Sequence, residues 1–275
     1  MVAFTRQSFH SLASSNNEIK HAIEAGHEEG LVVQTFQQTA GYGRLGRSWV
    51  SPFGGLYFSV LLRPGVSLQD LPTLGLLVAL TMRRVLAGCV PAEQRPGIQI
   101  KWPNDVVLVQ PGASWGTTFN KLVGISFERH AGACCLGIGV NVFRPAEDVP
   151  VGGKNVPAYV ADLMADALAA AGIAPVVDAC GLTALQQGCI TRVLDEFLEA
   201  FGLAYQQWCT QGFDPFLQEY SANLCLCGKR VQVVNQVDEC LVAGVVEGVD
   251  AQARLLLRTE YGTTEAVSSG EVRLA

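Results

Sequence analysis

The sequence is poor in histidine, with four in 275 residues, and none stands in an H-E-x-x-H pattern. Its nine cysteines include an adjacent pair, Cys134 and Cys135, and a C-x-C at Cys225 and Cys227, but no paired C-x-x-C spacing. These absences argue against a structural zinc site, which depends on such ligand spacings. There is no long Lys/Arg block, and the net charge is −6. That weighs against a nucleic-acid partner held through its phosphates. The longest apolar run, near residues 74–80, falls far short of the roughly 20 residues a membrane span needs. Repeats and low-complexity tracts are absent. No continuous apolar h-region opens the chain, so no secretory signal is read there. Arg6 before the first acid, Glu18, suggests a presequence, but residues 2–9 read more simply as a first strand. The cysteines are therefore read as free, mostly buried thiols in a reducing compartment, the cytoplasm or an organelle.

What is present is an ordinary globular composition, 49% hydrophobic. The length suits one large core, or a catalytic domain with a small appendage. Asn16 or Asn17 is a candidate cap for a helix over 18–25, closed by Gly26. Residues 31–36 and 56–62 read as strands. Residues 71–87 carry helical periodicity. Strands follow at 98–102 and 106–109, then a polar turn over 110–120. Residues 121–128 and 134–140 read as paired strands around His130–Gly132. An Ala/Leu helix is expected over 159–171, and one long helix or two shorter ones over 185–208. From Gly228, short strands at 230–235, 241–249, 253–258 and 264–268 alternate with turn residues. That spacing suggests a small β-barrel. The fold class is α+β, because helices and strands alternate without clean βαβ repeats.

Residues 37–55 form a loop rich in Gly, Arg and Ser. Gly41-x-Gly43-x-x-Gly46 matches the dinucleotide-binding fingerprint literally. A true fingerprint runs straight into a helix whose N-terminus meets the pyrophosphate. Here Pro52, Gly54 and Gly55 follow, which disfavours that helix. The glycines still allow backbone amides to approach an anion. Arg44 and Arg47 add guanidinium donors suited to carboxylate and phosphate oxygens. The bland alternative is a solvated basic loop.

Other clusters are equally two-sided when taken singly. Lys101-Trp102-Pro103-Asn104-Asp105 packs a cation, an aromatic, an amide and a carboxylate into one strand end, where Pro forces an edge or a break. A plain turn with Asx hydrogen bonds explains it too. By alternation, Lys121 shares a face with Val123 and Ile125, opposite Leu122 and Gly124. It either snorkels at the strand end or meets an anion in a pocket. Gly137 and Gly139 inside a strand mark a bulge or a close approach. Ser14-Ser15-Asn16-Asn17 supplies hydroxyls and amides, or merely a helix cap.

Taken in order, these strings are more specific. Ser14-Ser15-Asn16, Gln38 through Trp49, Lys101-Trp102-Pro103-Asn104-Asp105, Lys121-Leu122-Val123-Gly124-Ile125 and Gly137 through Val142 together resemble the biotin–protein ligase family. Its members are also called biotin–[acetyl-CoA-carboxylase] ligases or holocarboxylase synthetases. The resemblance implies a mixed-sheet catalytic domain of the class II synthetase-like type over 1–224, flanked by helices. It implies a small SH3-like β-barrel over 225–275. Only 13 residues precede Ser14, too few for the DNA-binding domain some members carry, so a monofunctional form is expected.

Carried over by position, the resemblance implies a biotin site of Ser14, Ser15, Asn16, Gln38, Tyr42, Gly43, Arg44, Lys121 and Gly124. ATP or the adenylate would meet Arg44, Arg47, Trp49, Lys101, Asn104 and Asn141. Lys121, Arg44 and Asp105 would carry catalysis, and Mg²⁺ would be held mainly through the ATP phosphates. Tyr42 departs from the bacterial pattern, which usually has Arg there. Partners would be biotin, ATP and the biotin carrier domains of carboxylases, with no nucleic acid and no membrane. The enzyme would be a monomer or homodimer. The rivals are a lipoate–protein ligase, whose R-R-x-S-G-G-G string is missing here, and a non-catalytic biotin-binding protein.

Overall fold

The computed structural model describes residues 2–109, 119–147, 155–178, 181–235 and 237–275. The chain begins with β1 (Thr5–Phe9), α1 (Ser15–Glu24), β2 (Leu31–Thr35) and β3 (Gly55–Leu62). Next come α2 (Leu71–Cys89), β4 (Ile98–Lys101) and β5 (Asp105–Leu108). A long hairpin, β6 (Phe119–His130) and β7 (Ala133–Asn141), turns where expected; most of the polar turn before it lies outside the described residues. The first sheet has the order β1-β2-β3-β7-β6-β5-β4. Only its β1–β2 pair is parallel along that path; β8 (Asn155–Pro157) adds to β6 in parallel. It is the mixed sheet expected.

Strand alternation sorts the two faces. Leu56, Phe58, Val60 and Leu62 of β3, with Leu136, Ile138 and Val140 of β7, point into the main core. That core is roofed by α2 and by α5 (Ala184–Gln211). α2 is 19 residues long with mean hydropathy 1.3, enough by length and composition for a membrane span, yet most of it is buried in this core. α5 is one helix, opened by a reciprocal cap between Thr183 and Gln186. Phe197, Phe201, Tyr205 and Trp208 stack along it at 5.3–5.8 Å between centroids. A buried side chain of this size contributes about 1.5–3 kcal/mol. The opposite face holds a smaller core, where Ile19, Ala22 and Ile23 of α1 meet Leu31, Val33, Leu61, Ala133 and Cys135.

Several expectations are corrected. The Ala/Leu stretch breaks at Met164, which leaves helical geometry and divides it into α3 (Val160–Leu163) and α4 (Ala165–Ala170). α1 starts earlier than expected: Ser14 is its N-cap and Asn16 lies inside it, turned toward the sheet. An unpredicted helix, α6 (Asp214–Ala222), begins with Pro215 in its first turn, a favourable place for proline. β9 (Arg230–Val234), β10 (Cys240–Val249), β11 (Leu255–Arg258), β12 (Thr264–Val267) and an unpredicted β13 (Glu271–Leu274) form a second, antiparallel sheet. Its order is β12-β11-β10-β9-β13, and among the described residues no pairing joins β12 to β13 to close a barrel. The thiols are less buried than expected: Cys134, Cys135 and Cys225 are buried, whereas Cys227 and Cys240 are exposed.

The two sheets touch through the Lys-Trp-Pro-Asn-Asp string. Trp102 is buried, and its Nε1 donates to the Ala253 carbonyl at 2.8 Å. The connecting chain pairs with Ile100 on both sides, Ile100 N to Asn223 O and Cys225 N to Ile100 O. That covers the open edge of β4, which would otherwise present unpaired backbone groups.

Candidate active site

On the α1 face of the first sheet the side chains shrink toward the C-terminal half of β7. Ala133 and Cys135 pack on α1, and then come Gly137, Gly139 and Asn141, on the same face by alternation. Their cross-strand partners on β6 are Ser126 opposite Gly137 and Gly124 opposite Gly139. Those on β3 are Ser59 opposite Gly137 and Tyr57 opposite Gly139. A floor this bare leaves a cavity of about 1140 Å³ above it. The Gly-rich loop forms one wall, and the turn between β9 and β10 with β13 forms part of the rim. The two strand glycines are explained by close approach. A Cβ on Gly139 would lie 2.5 Å from Trp49 Nε1, and one on Gly137 would lie 2.2 Å from Asn16 Oδ1.

The loop is folded on itself as a ragged ribbon. Gln38 bridges to Ser51 and Tyr42 to Ser48. A single 3-10 turn at Arg44–Gly46 closes it, with Leu45 in left-handed geometry at φ 58°. No helix follows Gly46, so the pyrophosphate-binding geometry of a dinucleotide fold is not built.

One end of the cavity is a neutral hydrogen-bonding pocket. Gln38 Oε1 accepts from the Ser15 backbone N at 2.9 Å and from Ser15 Oγ at 3.1 Å. Its Nε2 donates to Ser51 Oγ at 3.0 Å. Ser59 Oγ donates to Asn16 Oδ1 at 2.6 Å, and Asn16 Nδ2 to Ser126 Oγ at 3.3 Å. Asn16, Ser15, Ser59 and Ser126 are all buried. This explains why Asn16 caps nothing: its side chain is committed to the pocket. Ser51, Ser59 and Ser126 were not anticipated, and the available signal was a lone serine inside each of two apolar strand runs.

The other end is cationic. Lys121 Nζ lies 2.7 Å from Asp105 Oδ1 and 5.0 Å from the Trp49 ring centroid. Arg44 Nη1 donates to Asn104 Oδ1 at 2.8 Å, and Asn104 Nδ2 to the Ile125 carbonyl at 2.5 Å. Asn141 Nδ2 donates to the Lys121 carbonyl at 2.9 Å. Lys101 Nζ sits 4.5 Å from the Phe119 ring centroid. Burial lowers the Lys101 pKa, with Asp105 opposing the shift and Lys121 adding to it. Burial likewise lowers that of Arg44. In an acidic protein, three inward cations face one carboxylate here, an arrangement that favours an incoming anion.

Lys121 reaches this face by a route that alternation does not give. Val106 pairs with Val123 but Val107 pairs with Lys121, so Leu122 is an extra residue on β6. This bulge turns Lys121 to the side of Gly124 and Ser126, not that of Val123, and Leu122 goes into the core.

Of the expected site residues, Ser15, Asn16, Gln38, Tyr42, Gly43, Arg44, Arg47, Trp49, Lys101, Asn104, Asp105, Lys121, Gly124 and Asn141 line the cavity. Ser14 does not; it is 1% exposed, and its carbonyl accepts from Glu18 N at 3.3 Å. Arg47 is at the rim, 3.2 Å from Glu271 of β13.

Residues 9–142 match the model of the biotin/lipoate A/B protein ligase family. The chain is 29% identical over 272 residues to the bifunctional ligase/repressor BirA of Bacillus subtilis (strain 168), covering 95% of this chain and 72% of that protein. It is 28% identical over 248 residues to the biotin–[acetyl-CoA-carboxylase] ligase of Paracoccus denitrificans, covering 86% and 87%. The fold is shared with the biotin protein ligase from Aquifex aeolicus solved in complex with biotin and ATP, with TM-score 0.73, 23% identity and 98% of each chain covered. The matched segment holds the Gly-rich loop, the Lys-Trp-Pro-Asn-Asp turn and the β6–β7 floor, and residues 9–142 are a domain of the biotin/lipoate A/B protein ligase family.

Proposed function

We propose that the chain is an ATP-dependent biotin–protein ligase that forms biotinyl-5′-AMP and then transfers biotin to a lysine of a biotin carrier domain. The observation that carries this reading is the two-ended cavity. Its closed end presents donors and acceptors from Ser15, Asn16, Gln38 and Ser126, with Ser59 behind them holding Asn16, which suit the cyclic urea of biotin. These groups already bond to one another, and the apolar dithiolane of lipoate could use none of the donor and acceptor capacity they have left, whereas a cyclic urea can. The neutral pocket therefore favours biotin within the family. The cationic end suits two anions brought together, the biotin carboxylate and the α-phosphate of ATP.

In this reading Lys121 and Arg44 neutralise charge that builds as the carboxylate attacks the α-phosphorus and pyrophosphate leaves. Holding both reactants removes an entropic barrier of about 7–11 kcal/mol. The Gly-rich loop and its Trp49 cover the mixed anhydride and keep water away. The acceptor amine then attacks the acyl carbon, and AMP leaves. Asp105 is the carboxylate placed to take that amine's proton. Among the described residues no cluster of three metal-ligating side chains exists. A Mg²⁺ would arrive on the ATP phosphates, beside Asp105 as the carboxylate nearest the cationic end, and would supply charge neutralisation at the pyrophosphate. We read residues 1–224 as the catalytic unit, 225–275 as the appended sheet, and the working compartment as the reducing cytoplasm.

The test is direct. The protein is mixed with biotin, ATP, Mg²⁺ and a biotin carrier domain. Labelled carrier and biotin-dependent pyrophosphate release are expected, with lipoate inert. Absence of both signals overturns the proposal, and labelling with lipoate alone reassigns the substrate.

A further inference from the structure

Tyr42 stands on the Gly-rich loop two residues before Arg44, yet its side chain leaves the loop and lies against α1. Its Oη donates to Asn17 Oδ1 at 3.2 Å. Lys20, one turn further along α1, places Nζ 5.3 Å from the Tyr42 ring centroid. The same Nζ pairs with Glu128 Oε2 of β6 at 2.5 Å. Loop, helix and strand thus meet at one point, and burial there is partial, which strengthens an ion pair and a cation–π contact over their fully exposed values.

The place of this clasp is what gives it meaning. Asn16 faces the closed end of the cavity while Asn17, its neighbour, faces the loop. The side-chain ties that Arg44 and Arg47 make from the loop, to Asn104 and Glu271, are made by cations that an arriving phosphate competes for. The tie at Tyr42 involves no group that faces the cationic end.

We infer that Tyr42 is a positioning residue. It pins the loop to α1 before any substrate binds, so that the wall over the pocket, and Arg44 with it, is in place in the empty enzyme. A ligand then meets a site whose ordering cost has already been met, and its affinity is not reduced by the fraction of time the loop is open. This role rests on the loop covering substrate as proposed above, but its first readout needs no substrate.

Arg44 and Arg47 make the loop a trypsin target if it opens. The full chain is digested without ligand, as wild type, Tyr42→Phe and Tyr42→Ala. The wild type is expected to be cut slowly at Arg44 and Arg47. Tyr42→Ala is expected to be cut about tenfold faster or more, and biotin with ATP should restore protection. Tyr42→Phe, which keeps the ring under Lys20, should fall between them. In steady-state assays Tyr42→Ala should raise KM for biotin about tenfold with kcat within about threefold. Cleavage of Tyr42→Ala at the wild-type rate, or faster cleavage with an unchanged KM for biotin, overturns the assignment. Failure of the wild type to label a carrier overturns the ligase reading instead and leaves the proteolysis result standing.

Discussion

Lys121 and Asp105 meet at 2.7 Å although they are not cross-strand partners, because Asp105 pairs with Gly124. The lysine lies back over Gly124, its Cε 3.1 Å from where a Cβ would stand. The missing side chain is what lets the ammonium reach its carboxylate and the indole of Trp49 together. We expect Lys121→Ala and Arg44→Ala each to slow adenylate formation at least about tenfold, or about 1.4 kcal/mol. Biotin-dependent exchange of pyrophosphate into ATP measures this half-reaction. Asp105→Asn is expected to slow transfer from preformed adenylate to the carrier more than it slows adenylation. Equal losses in the two halves would restrict Asp105 to holding Lys121.

The two floor glycines should separate the two substrates. Gly139→Ala pushes a methyl group into the Trp49 indole, so KM for ATP should rise about tenfold with a smaller change for biotin. Gly137→Ala pushes into Asn16 and should do the reverse. Titrating each substrate at saturating levels of the other distinguishes them, and identical effects on both would defeat the assignment of ends.

Trp102 ties the second sheet to the first. Trp102→Phe leaves the Ala253 carbonyl without its donor in a buried setting, a loss of about 1–3 kcal/mol. Urea unfolding should show a lower midpoint at unchanged slope. A midpoint equal to wild type would mean the bond contributes nothing.

Burial pushes the Cys135 and Cys225 thiols up to about 12. The reactive form is the thiolate, so at pH 8 only about one in ten thousand of these groups is ionised. Iodoacetamide should modify the exposed Cys227 and Cys240 and spare Cys135 and Cys225 until the chain unfolds. Peptide mass spectrometry reads the sites, and native labelling of Cys135 at the rate of Cys240 would contradict the fold.

Much of this was legible in the chain itself. Apolar alternation located the central strands, and the period of 3.6 found α2 and α5. Trp49, Lys101, Asn104 and Asp105 converge as the ordered strings implied. What was hidden depends on partners distant in sequence. Ser15-Asn16-Asn17 reads locally as a cap, and only the sheet beneath reveals Asn16 as part of a pocket. Ser59 and Ser126 look like minor defects in apolar strands until their cross-strand glycine is known. The break at Met164 has no propensity signal, because Ala and Leu on either side favour a continuous helix. Alternation put Lys121 with Val123, and it failed because β5 is one residue shorter over that span than β6.

That last feature sets a rule for which changes the enzyme tolerates. The catalytic lysine owes its direction to a counting offset between two strands rather than to its own surroundings. Inserting one residue into β5 between Val106 and Val107 keeps every charged and glycine residue of the site, yet it would give Leu122 a partner, restore plain alternation along β6 and aim an ammonium group at the apolar core. Point substitutions at Leu122 should be mild by comparison. The site is therefore more vulnerable to a change in the length of β5 than to a change in identity at Leu122, and anyone grafting the site onto another sheet must carry the offset along with the lysine.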